Sequence, residues 1–253
     1  MGIDMKKMRE KYNALKNKGG NKKDNLFWKP QDGDQVIRIL PTPDGDPFKE
    51  FWFYYNLAKA PVLCPKRNFG EESPVLDFAT KLYKEGTPES IKMAKDLFPK
   101  QRFFSPVIVR GEESQGVRIW GYSKTVYEQL LQLVLNPDYD DITDVDTGTD
   151  LTLKYGKAPG AMFPSTTLTP KRKTSPVCKD GDNDCKSLIE EIPDFNGLFE
   201  RKSSEEVRQL LDQYMSGDSE TEKYGNDSSD NSSEGVTSVD KAFNDLLGSD
   251  ATA

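Results

Sequence analysis

The chain has 253 residues, 35% of them hydrophobic and 30% charged, with a formal net charge of −7, which is typical of one large water-soluble domain or a core with appendages. It contains no histidine, which excludes His-based acid–base chemistry, Ser-His and Cys-His nucleophile pairs and His-ligated zinc, so we expect a protein that is not an enzyme. No stretch approaches the roughly eighteen apolar residues of a membrane span, and no apolar segment follows the basic N-terminus as in a secretory signal.

Charge is distributed unevenly along the chain. Residues 1–23 hold eight Lys or Arg against two acidic residues, whereas residues 216–253 hold nine Asp or Glu against two lysines. We therefore expect a basic N-terminal arm (1–23), a core (24–215) and an acidic flexible tail (216–253). Such asymmetry favours nucleic acid or a charged surface as partner. The three cysteines argue against a disulfide framework and for a reducing compartment.

The arm contains one candidate helix, residues 4–18, which Gly19 and Gly20 end. Its apolar residues recur at helical spacing among basic ones. A free surface helix and an arm that docks on an acidic surface both fit this pattern. The apolar positions are Met5, Met8, Tyr12 and Leu15.

The core begins with two short strands, Gln35–Leu40 and Phe51–Tyr55. The second has aromatic residues on both faces, with Trp52 and Tyr54 on one side. We expect one face to be buried and the other to be a stacking surface, and the sequence does not decide between them.

A helical insertion follows at about 56–100. Ser73 and Pro74 begin a helix that ends at Gly86, and Thr87-Pro88 begins a second that Pro99 ends.

Two strands come next, Phe103–Arg110 and Gly116–Ser123. In the second, Val117 and Ile119 share an apolar face, and the opposite face alternates cations with large rings. Core packing is one interpretation. Binding of single-stranded nucleic acid is the other, because rings stack on bases and cations follow phosphates. The alternating face consists of Arg118, Trp120, Tyr122 and Lys124.

The helix at Lys124–Leu135 has one apolar stripe, which we assign to core packing. The stripe consists of Val126, Leu130, Leu131, Val134 and Leu135. The acidic loop Asp138–Asp150 lacks the spacing of a calcium loop, and a strand follows at Leu151–Tyr155. Pro170–Pro176 places a Lys/Arg triplet on a loop.

A capping box at Ser203 and Glu206 begins the last core helix, Ser203–Tyr214. Residues 218–234 have the composition of a disordered segment. Apolar residues then return at helical spacing among aspartates, which indicates either a peptide that folds on a partner or chance. They are Val239, Phe243, Leu246 and Leu247.

Many short strands, aromatic and basic faces and a charged tail predict a mainly β protein with helical insertions (α+β), built on an OB-type barrel. The chain resembles the single-stranded DNA-binding, helix-destabilising proteins of T-even-like bacteriophages. The resemblance rests on QVIRILPTPDGDPF (35–48), SPVLDFATKLYKEG (73–86), RFFSPVIVR (102–110), VRIWGYSKTVYEQL (117–130) and DKAFNDLL (240–247).

The resemblance implies an OB-fold core that binds single-stranded DNA without sequence preference, in the cytoplasm of an infected bacterial host. It implies cooperative self-association through the arm at Lys6, Lys7 and Arg9. It also implies recruitment of replication, recombination and repair proteins by the acidic tail through its terminal apolar residues. An RNA-binding regulator and a non-catalytic replication scaffold are the alternatives.

Zinc-binding members of this family use one His and three Cys in the insertion. Here only Cys64 matches, and the expected Cys-x-x-Cys pair is Ser73-Pro74-Val75-Leu76. Since structural zinc takes four N or S ligands, we expect no zinc and no other cofactor.

The resemblance implies aromatic DNA contacts at Phe78, Tyr83, Phe103, Phe104 and Trp120, and the strand patterns add further rings and nearby cations as candidates. The aromatic candidates are Trp52, Tyr54, Phe78, Tyr83, Phe103, Phe104, Trp120 and Tyr122. The cationic candidates are Lys66, Arg67, Arg102, Arg118, Lys124, Lys154, Lys171, Arg172 and Lys173.

Overall fold

The computed structural model describes residues 26–178 and 185–216. Over these residues the protein is a mixed α/β structure with one sheet of eight strands and several helices around it. The strands are β1 (Phe27–Trp28), β2 (Gly33–Ile39), β3 (Lys49–Tyr54), β4 (Val62–Leu63), β5 (Lys100–Val109), β6 (Arg118–Tyr122), β7 (Thr149–Gly156) and β8 (Ser165–Thr174). The helices are α1 (Pro65–Phe69), α2 (Pro74–Glu85), α3 (Pro88–Leu97), α4 (Lys124–Val134), α5 (Cys185–Glu190) and α6 (Ser204–Ser216).

Strand β5 is the centre of the sheet. One edge of β5 pairs with β6, which in turn pairs with β1 in parallel. Along the other edge of β5, the first half of the strand pairs with β3 and the second half pairs with β2. Strand β4 extends the β3 branch, and β7 and β8 extend the β2 branch. Within the described residues β1 and β8 do not pair, so the sheet is open there and the expected closed barrel is not observed.

Both faces of the central strands are covered. One face packs Ile37, Phe103 and Trp120 against Val126 and Leu130 of α4. The other face buries a second cluster, which consists of Phe27, Phe53, Tyr55, Leu63, Phe104, Ile119 and Phe195. Such double coverage is usual for central strands of mixed sheets.

The helical insertion packs on the end of β3. Tyr54 of β3 is buried with Val75 and Ala79 of α2, and Val207 and Leu211 of α6 cover the same cluster. Helix α6 lies against α2, so the C-terminal part of the core fastens the insertion to the sheet.

Helix ends agree with their predicted positions, because their signals are local. Helix α2 has Ser73 at its N-cap and Gly86 at its C-cap, where φ is 77° and glycine is favoured. The backbone N–H of Ser90 donates to Thr87 Oγ1 at 3.1 Å and caps α3. At α6, Ser203 N donates to Glu206 Oε2 at 2.7 Å, as in a capping box.

One predicted loop is wrong. Residues 170–174 belong to β8, which pairs with β7. Pro170 suggested a loop, but proline is tolerated here because β8 lies at the edge of the sheet in the described part of the chain.

The structure does not describe the basic arm with Lys6, Lys7 and Arg9. The tail segment with Val239, Phe243, Leu246 and Leu247 also lies outside the described residues. No helix within 26–178 or 185–216 is long and apolar enough to cross a membrane.

Candidate nucleic-acid interface

The predicted stacking face of β6 is buried, so its assignment as an exposed surface is wrong. Trp120 is 1% exposed and Tyr122 is 3% exposed. Arg118, at 9%, forms an ion pair with Glu112 at 2.8 Å. The neighbouring candidates Tyr54, Arg102, Phe103 and Phe104 are also buried.

The cause is coverage of both sheet faces. The Trp120 ring meets the edge of Trp28 from β1, with ring centroids 6.2 Å apart. Phe103 stacks on Tyr127 of α4 at 3.9 Å. Phe104 faces the other way and lies 5.0 Å from Phe199. These rings therefore hold the sheet to its covering segments, and a base cannot reach them in this structure.

Trp52 is the sequence-predicted aromatic residue that lines an open cleft. The cleft has a volume of about 780 Å³ and lies between the β2–β3 loop, β3, α1 and residues 192–196. We call it the Trp52 cleft. Its lining includes Phe51, Arg67 and Phe69. Of the other aromatic candidates, Phe78 is partly buried in the insertion, and Tyr83 is 53% exposed but outside the cleft lining.

A cation lies over the Trp52 ring. The guanidinium carbon of Arg67 is 5.0 Å from the ring centroid, which is within cation–π range. Asn68 fixes this arrangement, because Trp52 N donates to Asn68 Oδ1 at 2.9 Å and Asn68 Nδ2 donates to Trp52 O at 2.8 Å. Helix α1 is thus joined to β3 at the residue beside Arg67.

A second aromatic–cation pair joins Phe69 of α1 to the segment before α6. The Phe69 ring is 37% exposed, and the guanidinium carbon of Arg201 lies 4.3 Å from its centroid. Arg201 also pairs with Glu71. The segment that leads to Arg201 is anchored by Phe199, whose ring lies 5.0 Å from Phe51.

The lining of the cleft contains carboxylates as well as cations: Asp44, Asp46, Glu50 and Asp194 lie there with Lys49 and Arg67. Asp44 accepts hydrogen bonds from Lys49 and from Thr42 Oγ1, and these lower the pKa of Asp44 to about 2. Glu50 Oε1 accepts from Trp52 Nε1 at 2.5 Å. Lys49 is already paired with Asp44. Because phosphates avoid carboxylates and approach guanidinium groups, a polyanion in this cleft would place its backbone towards Arg67.

Five exposed cations lie on the β7–β8 hairpin. Lys154 pairs in register with Thr167, away from the buried Leu153–Leu168 pair. None of the five cations forms an ion pair with a residue that the structure describes. They are Lys154, Lys157, Lys171, Arg172 and Lys173, and none of them lines the Trp52 cleft.

A buried charge network holds the end of this hairpin. Asp150 of β7 is 5% exposed and pairs with Arg38 at 2.9 Å and with Arg110 at 3.0 Å. Ser175 Oγ donates to Asp150 Oδ2 at 3.1 Å, and Arg110 Nη1 donates to the carbonyl of Val177 at 2.8 Å. The segment after the basic triplet is thereby fixed to β2, β5 and β7.

The remaining predicted cations are exposed but not brought together. Lys66 lies 3.5 Å from Asp77, and Lys124 lies 3.8 Å from Glu128 in the next turn of α4. Neither lines the Trp52 cleft.

The position where the resemblance would place zinc contains a thiol and two hydroxyl groups. The Tyr54 hydroxyl lies 3.1 Å from Cys64 Sγ and 2.7 Å from Ser73 Oγ. One thiol and two hydroxyls do not fit the donor set of structural zinc. No cluster of three or more metal-ligating side chains occurs within 26–178 and 185–216.

The cysteines differ from expectation. Cys64 is free and buried, but Cys178 is disulfide-bonded. The odd count argued against a disulfide framework, and one bond at Cys178 is compatible with three cysteines in the chain.

Sequence reasoning missed several residues of these surfaces, among them Asn68, Phe69, Lys157 and Arg201. Phe69 closely follows Lys66 and Arg67, so a cation–aromatic run was a usable signal. The role of Asn68 depends on a contact sixteen residues away, and no local pattern indicates it.

Comparison with known proteins gives no match for this chain, either to a protein-family model or to a curated protein.

Proposed function

We propose that this protein binds single-stranded DNA without sequence preference and cooperatively, coats it, and recruits replication, recombination and repair proteins through its acidic tail. The observation that carries the proposal is Trp52, which lines an open cleft with Arg67 over its ring. The same proposal includes an OB-type arrangement of the core, here with an open sheet, and a location in the cytoplasm of an infected bacterium. No catalytic activity is proposed.

Binding would combine two physical effects. Stacking of a base on an aromatic side chain contributes about 1–3 kcal/mol and tolerates any base. Contacts between phosphates and Arg67 or the hairpin cations release counterions, which makes affinity fall with salt. The carboxylates in the cleft would direct phosphates towards Arg67, and bases would stack on the Trp52 ring.

Selective binding of the unpaired strand would also destabilise duplexes. A protein that binds only one state shifts an equilibrium towards it by mass action. Neither a phosphate-binding loop nor a metal is needed for this effect.

The test is a fluorescence titration with a single-stranded deoxy homopolymer at several salt concentrations. Of the three tryptophans, Trp28 and Trp120 are 5% and 1% exposed, so Trp52 should report binding. We expect quenching in the native chain and its loss in Trp52→Phe, with binding of Trp52→Phe followed by anisotropy of a labelled strand. A native chain that does not bind the homopolymer overturns the proposal. Tighter binding to the ribo homopolymer would instead indicate an RNA-binding protein.

The hairpin should supply part of the salt dependence. For a single strand, each cation that no longer binds a phosphate lowers the slope of log K against log salt by about 0.7. Replacing Lys171 and Lys173 by Gln should therefore lower the slope by about 1.4 and weaken binding about 25-fold at 0.1 M salt. Replacement of Lys92 and Lys95, two exposed lysines of α3, is the matched control. An equal slope in both variants would remove the hairpin from the interface.

The acidic tail should compete with DNA for cationic surfaces. Residues 216–253 carry nine acidic residues against two lysines, so deleting them should raise affinity several-fold at low salt, and the gain should shrink as salt screens the charges. Equilibrium binding of the truncated and full chains at about 0.05 and 0.3 M salt measures this. Equal affinity at low salt would contradict the competition.

A further inference from the structure

Two of the five residues in the apolar stripe, at the end of α4, are exposed. Val126 and Leu130 are 3% and 0% exposed, as expected for core residues. Val134 and Leu135 are 43% and 78% exposed, so their assignment to core packing is wrong. Leu131, one turn earlier on the same side, is only partly buried. The C-terminal end of α4 therefore presents three neighbouring apolar side chains at the surface.

An acidic turn adjoins this apolar end. Asp138, Asp140 and Asp141 are exposed and follow Leu135 within six residues, and Asp146 is exposed further along the same acidic loop. None of them forms an ion pair with any residue of 26–178 or 185–216. The C-terminal end of a helix also carries partial negative charge, which favours a cationic neighbour. We call these four aspartates with Leu131, Val134 and Leu135 the α4 patch.

The chain contains a segment of complementary chemistry. Residues 4–18 place Met5, Met8, Tyr12 and Leu15 at helical spacing among basic residues. An amphipathic helix of this kind binds by laying apolar side chains on an apolar surface, with its charges at the rim. The acidic tail is a poorer match, because its carboxylates would be repelled by the four aspartates.

We propose that the α4 patch is the docking site for the basic N-terminal segment of a second copy of this chain. The segment and the patch are different surfaces, so the contact is heterologous and leaves a free segment at one end of a pair and a free patch at the other. Repetition of such a contact gives an open row of copies. The inference rests on the proposed self-association through the arm but not on nucleic-acid binding.

The test is a charge swap in the full chain without nucleic acid, followed by sedimentation velocity over a range of concentrations at low salt. The patch variant is Asp138→Lys with Asp140→Lys, and the segment variant is Lys6→Glu with Lys7→Glu. Each alone should lower the association constant roughly tenfold or more, because like charges then face each other. The combination should restore it to within about threefold of the native value. Asp32→Lys with Asp34→Lys changes two other exposed aspartates by the same charge and should leave association unchanged.

A second variant tests the apolar part. Leu135→Ser removes an exposed side chain and should weaken association while melting temperature stays the same, because Leu135 contributes little to the core. Affinity for an oligonucleotide short enough to bind one copy should also be unchanged, which separates this inference from the proposed function.

Three results would overturn the inference: a native chain that stays monomeric throughout, a patch variant no weaker than the Asp32/Asp34 control, or a charge swap without recovery. A segment that docks on the patch of its own copy would give concentration-independent behaviour and would also overturn it.

Discussion

A chain with alanine at both Trp52 and Arg67 should bind single-stranded DNA about 30- to 1,000-fold more weakly at 0.1 M salt. Removal of one stacking ring costs about 1–3 kcal/mol, and removal of one phosphate-binding cation adds about 1 kcal/mol at that salt concentration. Trp52→Phe alone should weaken binding much less, because phenylalanine keeps a ring that can stack. Anisotropy of a labelled homopolymer measures all three proteins.

The matched control removes a partly exposed ring and an exposed arginine elsewhere. Tyr139 is partly exposed beyond α4 and Arg208 is exposed on α6, and neither of them lines the Trp52 cleft or is a candidate DNA contact. Alanine at both should change affinity less than about threefold, within the usual range for surface changes away from an interface. Equal losses of affinity in the two double variants would show that the cleft is not the binding surface. Circular dichroism melts of each variant exclude unfolding as the cause.

The helix ends could be predicted because their signals lie within a few residues. Ser73, Gly86 and the Ser203–Glu206 pair act on neighbouring backbone groups, and the structure places them as expected. The positions of β2, β3, β5, β6 and β7 were also readable from short runs of β-branched and aromatic residues bounded by turn residues. Each of these features is a property of one short stretch of chain.

Whether a strand face is exposed could not be predicted in the same way. Alternation in β6 shows that Trp120 and Tyr122 share a face, but not that Trp28 and α4 cover it. The covering residues are far away in sequence, and both faces of β6 are apolar enough to be buried. The same limit applies to Trp52, whose partner Arg67 comes beside it only because β4 and α1 return the chain to β3.

Prolines and charges misled the interpretation of β8. Pro170, Pro176 and the Lys/Arg triplet are typical of a loop, and an edge strand accepts the same residues because one of its sides needs no partner. The result matters for function, since the triplet is held on a strand next to β7 and not on a free loop.

Replacing Asp150 by alanine should lower the free energy of unfolding by about 3–5 kcal/mol, the cost of removing one partner from a buried ion pair. Arg38 is 0% exposed and Asp150 is its ion-pair partner at 2.9 Å. Burial lowers the pKa of Arg38, an effect that the Asp150 charge opposes, so loss of the carboxylate leaves a cation in the core with only neutral oxygen acceptors. A decrease of roughly 6 to 20 °C in melting temperature should follow for a core of this size.

The carboxylate also joins parts of the chain that are distant in sequence, so its loss should have a local effect beyond the change in stability. Ser175 and Val177, which follow the basic triplet, are held through Asp150 and Arg110, so amide hydrogens at the end of β8 should exchange faster than those of α2. Asp34→Ala, at an exposed position of β2, is the control and should change stability by no more than about 0.5 kcal/mol. A destabilisation below about 1 kcal/mol in Asp150→Ala would mean that the two arginines find water or other acceptors, and that the hairpin is positioned by its strand pairing with β7 alone.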